Sequence, residues 1–395
     1  MRRRDFLAVL PPLAVAARAL RGAPRLKITG LRVVPLKTVK DVGSLEPAWN
    51  PGGAMQFRIG GGSYVEVQTD QGLTGIGPGM DPALLPAVQA QLVGKDPFDT
   101  EQHAARLRYY AAGVSYRGSA SVDIALWDLI GKAAGQPLYK LWGGAKEKVP
   151  AFASMVQLST PEERARLAAE LKSQGWKALK LRLHYQTMKE DIRLVEAVRR
   201  AVGDDFDIMT DANQAQSTGN WQPGVLWDFE RAVRTARELE RLRCYWLEEP
   251  LKRYEFDRLA ELNRLVEIPI AGGENNRGLH EFHGMLEKGV YDILQPEVLV
   301  SEGITGLRKI ATLAEAFGKR VVPHHGGGNL GVIAQLHLIC SWPHAPYIEL
   351  LHDPPVGSYR HGFSVLEDPP LVDQEGFLHV PQGPGLGVAI NRELV

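Results

Sequence analysis

Two cysteines in 395 residues are too few for a disulfide scaffold or a zinc ribbon. Cys244 and Cys340 each lie in an apolar neighbourhood (CYWL and LHLICSW), which reads as two separate buried thiols rather than a bridge. A surplus of either charge is lacking too. Lys+Arg 46 balances Asp+Glu 46, so no global basic field draws nucleic acid or an anionic membrane. Beyond the first few dozen residues no apolar run approaches the ~18 needed to span a bilayer. A dinucleotide fingerprint is also missing: Gly75, Gly77 and Gly79 are followed by Met80 and read as a turn. His280 and His283 lack the i,i+4 spacing of a zinc helix and read as a surface helix face. With 44% hydrophobic and 23% charged residues, the chain is neither disordered, collagenous nor a coiled coil.

Residues 1–23 read as an address. Arg2, Arg3 and Arg4 make a basic n-region, and Phe6 to Ala17 is an apolar stretch of signal length. Pro11 and Pro12 oppose a spanning helix, and small residues around Ala14–Ala19 offer a cleavage site. Arg3-Arg4-Asp5-Phe6-Leu7 resembles the twin-arginine motif, which predicts export to the periplasm; a basic tail with a chance apolar run is the alternative. Export would expose both cysteines to an oxidising compartment.

The rhythm then changes twice. Residues 25–147 begin with β-type stretches, RLKITGLRVVPLKTV and SYVEVQTD, around a glycine-rich loop from Gly43 to Gly62. The Trp49–Gly62 part of that loop is a candidate lid. Helical patterning follows from 82 to 142. Val122, Ala125, Leu126, Leu129 and Ile130 form one stripe in a helix that Gly135 and Pro137 end. From 148 to 354, eight short β-rich runs alternate with amphipathic helices, the count of a closed (β/α)8 barrel rather than an open sheet. Residues 355–395 return to short strands and turns and are expected to pack back on the N-terminal domain.

In such a barrel the strand C-termini form the reactive face, so the last residue of each run tests the assignment. Lys180, Arg182 and His184 lie two apart, on one side of a strand. Later runs end at Asp211, Glu248-Glu249, Glu274-Asn275, Glu297 and His324-His325, and the eighth carries Glu349. Charged strand ends are common singly, but six ionisable ends in succession after apolar strands point to a site. Asp211, Glu248 and Glu274 offer only oxygen and would repel one another without a cation. Such a set selects Mg²⁺, and the absence of His and Cys from it argues against zinc.

These residues carry a resemblance. SVDIALWDLIGKAAGQPLYKLWGG, KLR, TDANQ, WLEEP, GGEN, LQPE and VVPH together resemble the enolase superfamily, mandelate racemase/muconate lactonizing branch, over roughly residues 25–395. The resemblance implies a modified (β/α)8 TIM barrel, class α/β, with an α+β capping domain. It implies Asp211, Glu248 and Glu274 as the metal ligands, with Lys180 holding the substrate carboxylate. It makes His324 the base, paired with Glu297 where the family usually has Asp, and sets Glu349 near the carboxylate. Mg²⁺ would stabilise the enediolate formed when a proton α to a carboxylate is removed. Asn213, Asn275, His184, His325 and Trp49 are the expected substrate contacts. His184 is alternatively a group behind the pocket, and His325 an alternative base.

The chain departs from the family at Arg182, where a second lysine is usual; a guanidinium is a poor base. A racemase needs a base on each face, so the expectation shifts to β-elimination: an acid-sugar dehydratase giving a 2-keto-3-deoxy acid. A racemase or epimerase with Lys180 as second base is the runner-up, and a non-catalytic exported binding protein the third reading. The expected partner is a small-molecule carboxylate, the expected state a homo-oligomer, with neither nucleic acid nor, after signal removal, membrane bound.

Overall fold

A computed structural model describes residues 25–111, 116–216 and 224–395; the expected leader, residues 1–23, lies outside them. β1 (Ile28–Pro35), β2 (Thr38–Leu45), β3 (Met55–Gly60), β4 (Ser63–Thr69) and β5 (Thr74–Pro78) open the capping domain. α1 (Leu85–Leu92), α2 (Thr100–Ala111), α3 (Tyr116–Ala134) and α4 (Leu138–Leu141) complete it. β1, β4 and β5 make an antiparallel sheet, and the stripe of α3 covers it, so that Val122, Ala125, Leu126 and Leu129 share a core with Ile28, Leu31, Val65 and Val67.

Two expectations about loops are corrected here. Gly75 and Gly77 lie inside β5, not in a turn. A Cβ on Gly75 would stand 2.1 Å from the Ala125 carbonyl oxygen and one on Gly77 2.2 Å from that of Ser121, so these glycines let the strand lie directly on α3. The Gly43–Gly62 segment is not one loop either. β2 and β3 pair as an antiparallel ribbon, because Leu45 and Phe57, helped by Val42 and Met55, bury against Val156 and Val356 at the barrel mouth. Only residues 46–54 remain as a tip.

The barrel strands are β6 (Lys148–Ser154), β7 (Ala178–Arg182), β8 (Asp207–Asp211), β9 (Trp246–Glu248), β10 (Ile270–Gly272), β11 (Ile293–Leu294), β12 (Arg320–Val321) and β13 (Ile348–Asp353). Among the described residues seven helices connect them: α5 (Pro161–Ser173), α6 (Met188–Val202), α7 (Phe229–Arg241), α8 (Phe256–Leu265), α9 (Gly278–Lys288), α10 (Gly303–Ala316) and α11 (Leu330–Ser341). The order β12-β11-β10-β9-β8-β7-β6-β13 is parallel throughout, and a Val321 N–H bond to the His344 carbonyl at 3.3 Å closes the seam. This is the modified barrel, with no helix of that kind after the last strand. β14 (Gly357–Ser358), α12 (Tyr359–Phe363) and β15 (Phe377–His379) follow, and β15 pairs antiparallel with the start of β6. Beyond it the tail touches the capping domain, where the Leu386 N–H donates to Asp128 at 2.8 Å. Among the described residues no helix is long and apolar enough to cross a membrane. His280 and His283 lie on the exposed face of α9, as expected.

Candidate active site

Successive inward side chains of a barrel strand are two residues apart, so each strand stacks its contributions in layers. Phe152, Ala178, Met209, Trp246, Ile293 and Val322 belong to one buried apolar cluster, the floor. Two residues further along each chain stand Ser154, Lys180, Asp211, Glu248, Gln295 and His324. Tyr347 and Glu349 repeat the pattern on β13. The apolar floor therefore carries a polar layer at the C-terminal mouth. Asp211 and Glu248 are paired neighbours in the parallel ladder. Glu274 departs from the two-residue step, since Gly273 bends the chain before it with φ 116°.

Lys180 is wholly buried among carboxylates. Its Nζ lies 2.8 and 2.9 Å from the two Glu248 oxygens, 2.9 Å from Glu349 and 3.6 Å from Asp211. Against the cost of burial, the charges of Glu248, Glu349 and Asp211 raise its pKa, so it is an ammonium and not a base. Glu349 is held well below the usual carboxylate range: burial opposes this, and Lys180 and His324 outweigh it.

Arg182 donates through Nε to the Met155 carbonyl (2.8 Å), through Nη1 to Asp211 and to Asn213 (3.1 Å), and through Nη2 to Ser154 (3.1 Å). Its guanidinium lies 4.4 Å from the Trp49 ring centroid, so the ribbon tip covers it. Asp211 is pushed up to about 7 by burial and by Glu248, with Arg182 and Lys180 pulling the other way. Asn213 joins Asp211, Arg182 and His184: its Oδ1 accepts from Arg182 and lies 3.0 Å from His184 Nε2, and its Nδ2 donates to Asp211 at 3.0 Å. The expected substrate contact Asn213 is thus a bracket between site residues. Burial takes His184 down to about 4, so it is neutral. Its Nε2 serves Asn213, and its buried Nδ1 has no partner among the described residues.

On the opposite side, Glu297 reaches His324, not His325. Its Oε2 lies 2.9 Å from His324 Nδ1 and accepts the Gly326 N–H at 2.9 Å. Its Oε1 accepts from the Leu299 N–H at 3.0 Å. The extra methylene of Glu over Asp is thus accommodated by a backbone turn folded around the carboxylate. His324 Nε2 lies 3.2 Å from Glu274. Burial disfavours the charged ring, but Glu274, Glu349 and the Glu297 bond push His324 up to about 10. His325 goes the other way, to about 4, through burial and the neighbouring His324, and its Nδ1 accepts the Gly327 N–H at 3.1 Å. Asn275 donates to Glu274 at 2.8 Å, and so does Gln216 at 2.5 Å.

Among the described residues no three carboxylate, imidazole or thiol groups converge ready to grip a metal. Asp211, Glu248 and Glu274 stand on neighbouring strand ends but are closed on Arg182, Lys180 and His324 respectively. Two participants escaped the sequence reading, and a third, Glu249, stood in it only as part of the end of the fourth run. Ser154 and Gln295 are legible only by the two-residue step from the floor; Gln295 Nε2 donates to Glu248 at 2.8 Å. Glu249 follows Glu248 with φ 45°, and burial together with Glu274, Asp211 and Glu248 raises its pKa well above the usual range. Its signal was the second acid of WLEEP.

Comparison with known proteins follows the same outline. Residues 163–394 match the family model described as enolase C-terminal domain-like, and residues 61–143 match the mandelate racemase/muconate lactonizing enzyme N-terminal domain. An arabinonate dehydratase of Saccharolobus solfataricus is 32% identical over 73% of this chain and 74% of that enzyme. A D-galactarolactone cycloisomerase of Agrobacterium fabrum is 31% identical over 86% and 92%. The crystal structure of D-glucarate dehydratase from Agrobacterium tumefaciens complexed with magnesium superposes with TM-score 0.79 at 30% identity, covering 93% of this chain and 97% of that one.

Proposed function

Since this chain belongs to the enolase superfamily, in its mandelate racemase/muconate lactonizing enzyme branch, we propose that it is a Mg²⁺-dependent dehydratase of an acid sugar. The donor chemistry fits a hard divalent cation. Asp211, Glu248 and Glu274 offer oxygen alone, are buried, and stand beside a further buried carboxyl, Glu249, whose two oxygens have no hydrogen-bond partner among the described residues. Asp211, Glu248 and Glu274 would hold the ion, which when bound neutralises the charge that develops on the substrate carboxylate.

The observation that carries the dehydratase reading is the asymmetry of the two faces. One face offers an imidazole with an orienting carboxylate, the other an arginine whose Nε, Nη1 and Nη2 are all bonded to the protein. His324 Nε2 takes the proton α to the carboxylate. Glu297 fixes the ring through Nδ1 and stabilises the imidazolium. The same Nε2–H then protonates the departing β-hydroxyl, water leaves, and the enol tautomerises to a 2-keto-3-deoxy acid. Nε2 is held by Glu274 at 3.2 Å, so engaging Glu274 elsewhere is what frees it for the substrate. Lys180 adds positive charge beneath the carboxylate. Arg182 holds Asp211 in place, with Trp49 over it.

The relatives support this substrate class, since arabinonate dehydratase and D-glucarate dehydratase are named for acid sugars. Screening acid sugars with Mg²⁺ for keto-acid product, with α-hydrogen exchange followed in D₂O, tests the reading. Keto acid from one or a few of them is expected. Exchange with inversion and no keto acid would establish the racemase instead, and no exchange with any of them would remove the enzyme reading. The leader places the enzyme in the periplasm on this reading. Arg3→Lys with Arg4→Lys should hold it in the cytoplasm, and an uncleaved, cytoplasmic wild type would refute export.

A further inference from the structure

Glu249 is a buried acid at the barrel mouth that the reaction above leaves without a task. We propose that Glu249 is a fourth carboxylate of the cation site, aimed at the ion or at water bound to it. This rests on the metal-dependent reading above. The side chain is 0% exposed, and neither oxygen has a hydrogen-bond partner among the described residues. Glu248, next to it, is served by Lys180, by Trp246 Nε1 at 3.1 Å and by Gln295. Besides burial, the charges that act most on Glu249 are Glu274, Asp211 and Glu248, all of its own sign, with Arg253 opposing them more weakly.

The backbone makes the placement specific. Glu249 is held at φ 45°, a left-handed conformation that costs an L-residue free energy. Two hydrogen bonds fix it: its N–H donates to the Ala271 carbonyl at 3.0 Å, and its carbonyl accepts the Gln214 N–H at 2.9 Å. The fold thus accepts strain to turn a carboxylate towards three others and supplies it with no donor. A structural acid is given donors, because an unpaired buried charge destabilises. A cation in the same place satisfies Glu249 and relieves its repulsion with the other three. The buried Tyr291 hydroxyl, which also has no hydrogen-bond partner among the described residues, feels the charge of Glu249 and is the competing explanation, as a private partner for the acid.

The test uses the full-length protein stripped of metal with a chelator and titrated with Mg²⁺ in a calorimeter. Glu249→Gln keeps the volume and removes the charge. It should weaken Mg²⁺ binding at least tenfold while the metal-free melting temperature stays level or rises. Tyr291→Phe should leave Mg²⁺ affinity within threefold of wild type. Glu249→Gln binding Mg²⁺ within twofold of wild type would overturn the proposal. So would a lowered metal-free melting temperature in Glu249→Gln, or an equal loss of affinity in Tyr291→Phe, since each marks a structural acid. If the wild type itself bound no Mg²⁺, the metal-dependent reading would fall first, and this proposal with it.

Discussion

Away from the centre of the barrel mouth, buried acids are given donors; at that centre they are crowded together. Asp123 on α3 accepts from the Thr305 N–H at 2.9 Å and the Thr305 hydroxyl at 2.6 Å, capping the start of α10 from another domain. Asp128 accepts from the Ile76 and Leu386 N–H groups, each at 2.8 Å, and pairs with Lys132 at 2.6 Å. Asp353 takes Arg164 at 2.7 Å and the Val156 N–H at 2.9 Å. At the mouth, Asp211, Glu248, Glu249, Glu274, Glu297 and Glu349 outnumber the cations paired with them, Lys180, Arg182 and His324. The first arrangement gives each acid backbone or hydroxyl donors, or a cation of its own. The second keeps an excess of negative charge in store for a cation.

That contrast predicts which changes hurt chemistry and which hurt folding. The largest effect is expected at His324. His324→Asn should lower dehydration at least ~10³-fold, because one group serves as both base and acid, and should also stop α-hydrogen exchange. Its urea midpoint should stay near that of wild type. Persistent exchange in D₂O, followed by proton NMR, would move the base to another residue. Next comes Arg164→Met, which strips a buried carboxylate of its cation. It should cost about 3–5 kcal/mol in urea unfolding, with kcat/KM of the folded protein little changed. An equal loss of kcat/KM would blur the two classes.

The smallest effect concerns pH. Burial pushes Asp123 up to about 6, although Thr305 and Ile304 bonds oppose it. Its folded pKa exceeds the unfolded value of roughly 3.9. The protonated form is therefore favoured by folding, and its stabilisation is full below pH ~4 and lost as pH rises through about 6. Relative to Asp123→Asn, the wild type should lose on the order of 2–3 kcal/mol between those limits, read from urea midpoints at several pH values. A flat difference would mean that the donors around Asp123 already keep it ionised.

Much of the architecture was legible because it follows from period. The eight β-rich runs from VPAFAS to APYIELL became the eight barrel strands, and the α3 stripe became the face that covers the capping sheet. Lys180, Asp211, Glu248, His324 and Glu349 stood out because ionisable groups ended apolar runs. What escaped depends on contacts that no local pattern records. Ser154 and Gln295 are neutral residues whose importance appears only once the apolar floor is identified. Gly75 and Gly77 looked like a turn because the helix pressed against them is some fifty residues away in sequence. The β2–β3 ribbon hid in glycine-rich sequence because its apolar partners, Val156 and Val356, belong to the barrel and the tail.

The tail has a consequence for folding. β15 is hydrogen-bonded to the first barrel strand, and the Leu394 carbonyl accepts the Lys37 N–H at 2.7 Å. Leu394 thus meets Lys37 across more than 350 positions of sequence. Contacts of such long range form slowly, and until they form, the first barrel strand and the opening of the capping domain lack their final neighbours. β6 and the opening of the capping domain are therefore complete only with residues 377–394 in place. Loss of that segment would be felt some 350 positions earlier, at Lys37.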